Sequence, residues 1–257
     1  MAARPSGLRW AGVAEEAEEL KKFQRVLAVF AHPDDPEFSC GASVAKLAGS
    51  GAEVNYVVCT DGSQGGEDPA VPDEELTATR EREQRAAADV LGVKGVCFLG
   101  YRDGHLTHSL DLRRDIVREI RKHKPELVIT HNPTFHLMLG ASHPDHLAVG
   151  QATMAAVYPD SRNPRAFREL LEEGLEAHRV KEVWIPGYDG SDYFVEINAD
   201  LLDLKLKAIL AHESQFDKPN QDPDNPPEKW LKERMHQIGE KAGYEYAEGF
   251  RRIELAF

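Results

Sequence analysis

The chain has 257 residues, 41% of them hydrophobic, which is enough for one substantial core and predicts a single domain over 1–257. Its formal net charge of −13 opposes nucleic acid and anionic membranes as partners, and no apolar run approaches the ~20 residues that span a bilayer. The acidic start MAARPSGLRWAGVAEEAEELKK lacks the apolar stretch of a signal peptide, and Cys40, Cys59 and Cys97 show no C-x-x-C spacing, so the expectation is a cytoplasmic protein with buried free thiols.

Residues 1–24 read as an N-terminal helical extension. The first strand is VLAVFA (26–31), and it runs straight into HPDD. A helix follows over GASVAKLAGSG (41–51), then a strand over VNYVVCT (54–60) and the glycine-rich TDGSQGG (60–66). The segment EELTATREREQRAAADVLGV (74–93) has helical spacing, GVCFLG (95–100) is strand-like, and DLRRDIVREIRKHK (111–124) places Leu112, Ile116, Val117 and Ile120 on one helix face. Gly51, Gly92 and Pro125 stop these helices. LVIT (127–130), VWIPG (183–187) and YFVEIN (193–198) are the remaining strands. FDKPNQDPDNPPEKW (216–230) reads as a proline-rich surface loop or a lid. Strand alternating with helix predicts an α/β fold whose mostly parallel sheet is covered on both faces.

In such a sheet, ligands bind beyond the C-terminal ends of the strands. VLAVFA therefore delivers His32, Asp34 and Asp35 to that edge. No G-x-G-x-x-G follows the strand, which counts against a dinucleotide, whereas imidazole with carboxylates suits a divalent metal. LVIT leads to a second polar segment, ASHPDHLAVG (141–150), in which Ser142 reads as the N-cap and Pro144 as the first turn of a helix. His143 and His146 then share a helix face. Each segment alone also reads as an ordinary turn or capped helix start; two of them, each after a buried strand, point to one metal site. We assign His32, Asp35 and His146 as ligands, leaving an open coordination position for water. Asp34 is the adjacent general base, and His143 is left to stabilise the oxyanion or to protonate the leaving amine. The cofactor is Zn2+, with Fe2+ or Mn2+ also suited to the set. Metal-assisted amide hydrolysis is the leading reading. Hydrolysis of another amide, an ester or a phosphoester is an alternative, as is a non-catalytic sugar- or nucleotide-binding module.

AHPDDPEF (31–38) together with HPDH (143–146) is similar to the PIG-L/LmbE-type family of zinc-dependent deacetylases of N-acetylglucosaminyl compounds. TDGSQGG, the Arg80/Glu83 pair, LGVKGVCFLGYRDGHL (91–106), DLKLKAILAHESQF (203–216) and YAEGF (246–250) extend the likeness from about Arg25 to Arg252. The resemblance implies a Rossmann-like three-layer sandwich, the same metal ligands and base, an aminosugar substrate, and a homo-oligomer that is a trimer or hexamer. It also implies substrate contacts from Arg80 and Asp103. For Arg80 with Glu83 an exposed helical ion pair is the plain alternative, and for Asp103 an ordinary turn. Within the family, YRDGHL, LKLKAI and IGEKAGYEYAEGF most resemble members acting on a chitin disaccharide, which carry a histidine beyond Glu-Gly-Phe; RRIELAF has none.

His212 reads either as a pocket residue or as a cap for helix-end carbonyls. His105, His108, His123, His131, His136, His178 and His236 lack ligand spacing with the two motifs and read as surface or packing residues. Trp184 and Tyr188 suit core packing or stacking on a sugar face. Asp61 and Gly62 lie where they could support the site indirectly.

Overall fold

β1 (Arg25–Phe30) is buried on both faces beyond its first residue, and its register is fixed by parallel neighbours on either side. The computed structural model describes residues 19–135, 142–187, 190–216 and 226–256. Across these, β2 (Glu53–Thr60), β3 (Gly95–Tyr101), β4 (Leu127–Thr130), β5 (Glu182–Pro186), β6 (Tyr193–Ile197) and β7 (Tyr246–Glu254) complete a seven-stranded sheet in the order β3-β2-β1-β4-β5-β7-β6. β1 to β5 pair in parallel, and β7 runs antiparallel between β5 and β6. The architecture is the expected α/β one with a mostly parallel sheet.

The helices are α1 (Asp35–Gly49), α2 (Asp73–Val90), α3 (Leu110–His123), α4 (Pro144–Ala155), α5 (Arg168–Glu172), α6 (Ala199–Leu210), α7 (Glu213–Phe216) and α8 (Pro227–Ala242). They cover both faces. Val26, Ala28 and Phe30 of β1 join the apolar core under α1, α2, α6 and α8, while the alternate Leu27 and Val29 join the core under α3 and α4. α3 shows the cause most plainly: Leu112, Ile116, Val117 and Ile120 are all fully buried, and the Ser109 hydroxyl accepts from Leu112 N at 3.1 Å to cap the helix. Gly51 (φ +98°) and Gly92 (φ +75°) follow the ends of α1 and α2, and α3 ends on a left-handed Lys124 (φ +50°) just before Pro125.

Three details differ from the sequence expectation. β7 shows in the sequence only a family-like motif, because Glu248, Gly249, Arg251, Arg252 and Glu254 hide its strand character. Glu248 is nonetheless buried: its carboxylate accepts from Ala42 N (3.1 Å) and Ser43 N (2.7 Å) and pairs with buried Lys205 at 2.5 Å. These bonds satisfy backbone groups freed where α1 kinks at Cys40 (φ −151°), and Lys205 Nζ donates to Phe38 O at 2.9 Å. Second, α8 starts at Pro227, inside the expected proline-rich loop, with proline at the first helical position where its missing N–H costs nothing. The rest of that loop (217–225), His136, Tyr188 and most of the N-terminal extension lie outside the described residues. Third, α4 is capped by His143 rather than by Ser142. Pro144 at the first position makes its predecessor the cap and holds it in an extended backbone (φ −56°, ψ 133°).

Cys40 and Cys59 are buried free thiols, and Cys97 is a half-buried one. Among the described residues no helix is long and apolar enough to cross a membrane.

Candidate metal centre

The strands all run parallel from β3 to β5, but the order in which they are added reverses at the β1–β4 boundary: β2 and β3 are laid down on one side of β1, β4 and β5 on the other. The C-terminal ends of β1 and β4 therefore open onto a shared crevice. His32 follows β1 after Ala31, and His131 follows β4 directly. α4 brings in His143 at its cap and His146 in its first turn. Its close approach depends on Gly150, where a Cβ would lie 2.7 Å from the His131 carbonyl oxygen.

His32 Nδ1 lies 3.1 Å from Asp35 Oδ2 and 3.2 Å from His146 Nε2, and His146 Nε2 lies 3.1 Å from Asp35 Oδ1. A tetrahedral site with metal–ligand bonds of about 2.0–2.1 Å has edges of about 3.3–3.4 Å, so the three donors sit at near-coordinating separation. Other His/Asp groups overlap with them: His32, His143 and His146; Asp35, His131 and His146; His32, Asp103 and Asp145. The extra histidines are distinguished by their hydrogen bonds. His131 Nε2 accepts the Ala31 N–H at 3.1 Å, which engages its lone pair. His143 Nδ1 accepts the Asp145 N–H at 3.2 Å, which leaves the proton of the neutral ring on Nε2. Four carboxylates (Asp34, Asp35, Asp103 and Asp145) gather here, of which Asp34 and Asp103 lie against the Arg80 guanidinium while Asp35 and Asp145 lie against imidazoles, and this concentration of carboxylates also suits a divalent cation.

Behind His32, its Nε2 meets Asp103 Oδ1 at 3.1 Å and Asp145 Oδ2 at 3.3 Å. Asp145 is fully buried and accepts from Gly104 N (2.7 Å) and Leu106 N (3.1 Å), so it ties the Tyr-Arg-Asp-Gly-His-Leu turn to the start of α4. Asp103 accepts from Gln64 N at 3.0 Å, and Asp61 Oδ1 accepts from Asp103 N at 3.1 Å. Carboxylates in these positions orient an imidazole and set its tautomer. Burial opposes charge on His32, but Asp35, Asp103 and Asp145 outweigh it and hold the metal-free imidazole up to about 12. Burial likewise disfavours the Asp35 carboxylate, yet His146, His131 and His32 hold it well below the usual range.

Asp34 lies beside this cluster with a left-handed backbone (φ +93°), a conformation costing about 1–3 kcal/mol for a non-glycine residue. Arg80 donates from Nη2 to Asp34 Oδ2 (3.0 Å) and Pro33 O (2.7 Å), and from Nη1 to Gly62 O (2.8 Å). Gln84 Oε1 accepts the Asp34 N–H at 2.8 Å. Burial pushes the Asp34 carboxyl up to about 6, with Arg80 pulling against it and Asp35 adding to it. Gly65 lets the loop pass over Arg80, because a Cβ there would come within 2.1 Å of Nη1.

His32, Asp34, Asp35, His143 and His146, expected from two distant segments, are thus brought together. Arg80 and Asp103, expected as substrate contacts, face inward to Asp34 and His32. Arg80 is 3% exposed and does not pair with Glu83, whose carboxylate instead accepts from Ser214 N and Oγ, both at 2.7 Å. His212 is fully buried with Nε2 3.2 Å from Glu37 Oε2, rather than capping carbonyls with its ring. Trp184 is fully buried among Phe23, Tyr193 and Phe250. His131 and Asp145 escaped the sequence reading. His131 stacks on His146 with centroids 3.9 Å apart, and burial lowers its imidazole to about 4. The available signal was position: a histidine directly after a buried parallel strand. Burial, with His32 and His146 nearby, also lowers the His143 imidazole and keeps it neutral.

The family model for GlcNAc-PI de-N-acetylases matches residues 27–157. Over 243 residues the chain is 34% identical to diacetylchitobiose deacetylase of Thermococcus kodakarensis, covering 93% of this chain and 87% of that protein. It is 33% identical over 222 residues to a 1D-myo-inositol 2-acetamido-2-deoxy-alpha-D-glucopyranoside deacetylase of Corynebacterium glutamicum, covering 75% of each. The solved N,N'-diacetylchitobiose deacetylase of Pyrococcus horikoshii superposes with a TM-score of 0.81 at 35% identity, covering 91% of this chain and 85% of that one.

Proposed function

The chain belongs to the PIG-L family of GlcNAc-PI de-N-acetylases, and from that premise we propose that it is a zinc-dependent hydrolase removing the acetyl group of an N-acetylated aminosugar. The observation that carries this reading is the convergence of His32, Asp35 and His146 at separations of 3.1–3.2 Å, with the unligated Asp34 beside them. His32, Asp35 and His146 would hold the ion. A bound divalent cation supplies Lewis acidity, polarising the acetamide carbonyl and lowering the pKa of water from about 15.7 toward about 7.

The chain's own residues supply the rest. Asp34 takes the proton of the attacking water as its oxygen adds to the acetyl carbon, with Arg80 holding the carboxylate at 3.0 Å. His143, neutral and with its proton on Nε2, donates a hydrogen bond to the developing oxyanion. Asp34 then returns the proton to the sugar nitrogen as the C–N bond breaks, releasing the free amine and acetic acid, which ionises to acetate by giving its proton to the amine or to solvent. Asp103 and Asp145 keep His32 Nδ1 directed at the ion.

The likeness to the two diacetylchitobiose deacetylases supports N,N'-diacetylchitobiose as the substrate, ahead of a thiol-sugar or inositol conjugate. An amine-release screen over N,N'-diacetylchitobiose, N-acetylglucosamine and an inositol-linked N-acetylglucosamine, run with and without chelator, tests it. Chelator-sensitive release from the disaccharide is expected; no release from any of the three would overturn the reading. The resemblance also supports a trimeric or hexameric assembly, which light scattering would read.

A further inference from the structure

Asp34, the proposed base, has an uncommon backbone, and the means of holding it lie in a buried array of side chains from α1, α2 and the segment before α7. Gln84 on α2 is fully buried. Its Oε1 accepts the Asp34 N–H at 2.8 Å, and its Nε2 donates to Glu37 Oε1 at 2.9 Å. Those partners force the amide orientation, since an N–H must meet oxygen and a carboxylate must meet N–H. Glu37 is itself fully buried, and its other oxygen lies 3.2 Å from Nε2 of the fully buried His212. One turn earlier on α2, Arg80 grips the Pro33 carbonyl and the Asp34 carboxylate. Glu83, between them, accepts from Ser214 N and Oγ at the start of α7, fastening the segment that bears His212 to the same helix.

We propose that Gln84 is a positioning residue for the deacetylation, its amide held by Glu37 and His212 so that it locks the left-handed backbone of Asp34 and aims the base. This rests on Asp34 being that base. Gln84 contacts neither ligand nor substrate in this arrangement; it acts through Asp34. Arg80 alone would leave the carboxylate tethered while the peptide N–H lost its acceptor. In a buried turn, a freed N–H drives the backbone toward a commoner conformation. Displacement of the base by about 1 Å costs about 10²-fold in rate.

The test uses the full zinc-loaded chain with N,N'-diacetylchitobiose, reading kcat, KM and zinc content together. Gln84→Met is expected to keep its zinc and a near-normal KM while kcat falls about 10²-fold. Gln84→Glu sets two carboxylates face to face and falls at least as far. The exchange Glu37→Gln with Gln84→Glu restores every partner: the amide at position 37 donates to the carboxylate at 84 and accepts from His212, and the carboxylate at 84 accepts the Asp34 N–H. Its kcat is expected to recover about tenfold or more over Gln84→Glu. A merely structural role would lower stability or zinc content without a kcat-specific loss and without that rescue. Wild-type kcat in Gln84→Met, zinc loss in step with kcat, or no recovery in the exchange variant overturns the proposal. Should Gln84→Met fail to fold, Gln84→Glu against the exchange decides. Asp34→Asn separates the two readings. Full activity in that variant removes the base assignment itself, whereas an inactive Asp34→Asn beside a fully active Gln84→Met removes only the positioning role.

Discussion

Gly150→Ala puts one methyl group against a wall that cannot turn aside. The added Cβ would lie 2.7 Å from His131 O and 3.0 Å from both Asn132 C and Pro133 N, all backbone atoms continuing from β4. Ordinary contact begins at 3.4 Å, so relief requires a retreat of 0.7 Å, the difference between 3.4 and 2.7 Å. α4 carries His146 one turn before Gly150, and its ring moves with the helix. Metal sites tolerate only about 0.2 Å of ligand displacement, so the shift is more than about three times too large. The fold should survive. Overpacking costs about 1–3 kcal/mol, and replacing a helical glycine returns about 0.5–1 kcal/mol, against a total stability of about 5–15 kcal/mol. Zinc affinity should therefore fall about 10- to 100-fold while the purified protein remains folded. Competition titration against a chromophoric chelator measures the first, and a thermal melt with excess chelator the second. Wild-type zinc affinity in Gly150→Ala would show that α4 does not set the position of His146.

Asp34→Asn should retain stoichiometric zinc by elemental analysis and lose about 10²- to 10⁴-fold in kcat; parallel loss of metal would recast Asp34 as a ligand. Lys205→Met leaves the buried Glu248 carboxylate without its cation and should cost about 3–5 kcal/mol by denaturant unfolding, with a loss under about 1 kcal/mol counting against a tight pair. His178 gives a pH test away from the site. Burial pushes its imidazole down, the Pro125 carbonyl and Glu126 pull up, and Arg25 and Lys124 push down. The folded chain thus prefers the neutral ring, so this stability is full above the unfolded pKa of about 6.5 and is lost as pH falls below it. The stability gap between wild type and His178→Asn should narrow from about pH 7.5 to about pH 5.5; a constant gap would mean that His178 does not titrate differently on folding.

β1 and α3 were readable because their information is local. Six apolar residues in a row, or Leu112, Ile116, Val117 and Ile120 on one face, have few alternatives once a core must form. β7 was not, because the burial of Glu248 depends on Lys205, 43 positions earlier, and on a kink in α1 more than 200 positions away. A carboxylate in a short run reads as solvent-facing until its partners are seen. The same holds for the cap of α4: serine is the better cap by residue type, yet the geometry imposed by Pro144 selects His143.

For the site, residue type and placement after buried strands already named a candidate metal-binding set, since two His/Asp segments at one sheet edge are mutually reinforcing where each alone is not. That much was determined by the order of the residues alone. The fold decided which groups lie around that set. His131 accepts the Ala31 N–H and stacks on His146, Asp145 and Asp103 converge on His32, and Arg80 and Gln84 fix Asp34 from one helix. The hydrogen-bonded partners stand 46 to 113 residues apart in the chain or turn their donors inward against expectation. Short-range propensity says nothing of such encounters; packing two layers of helices on one sheet creates them.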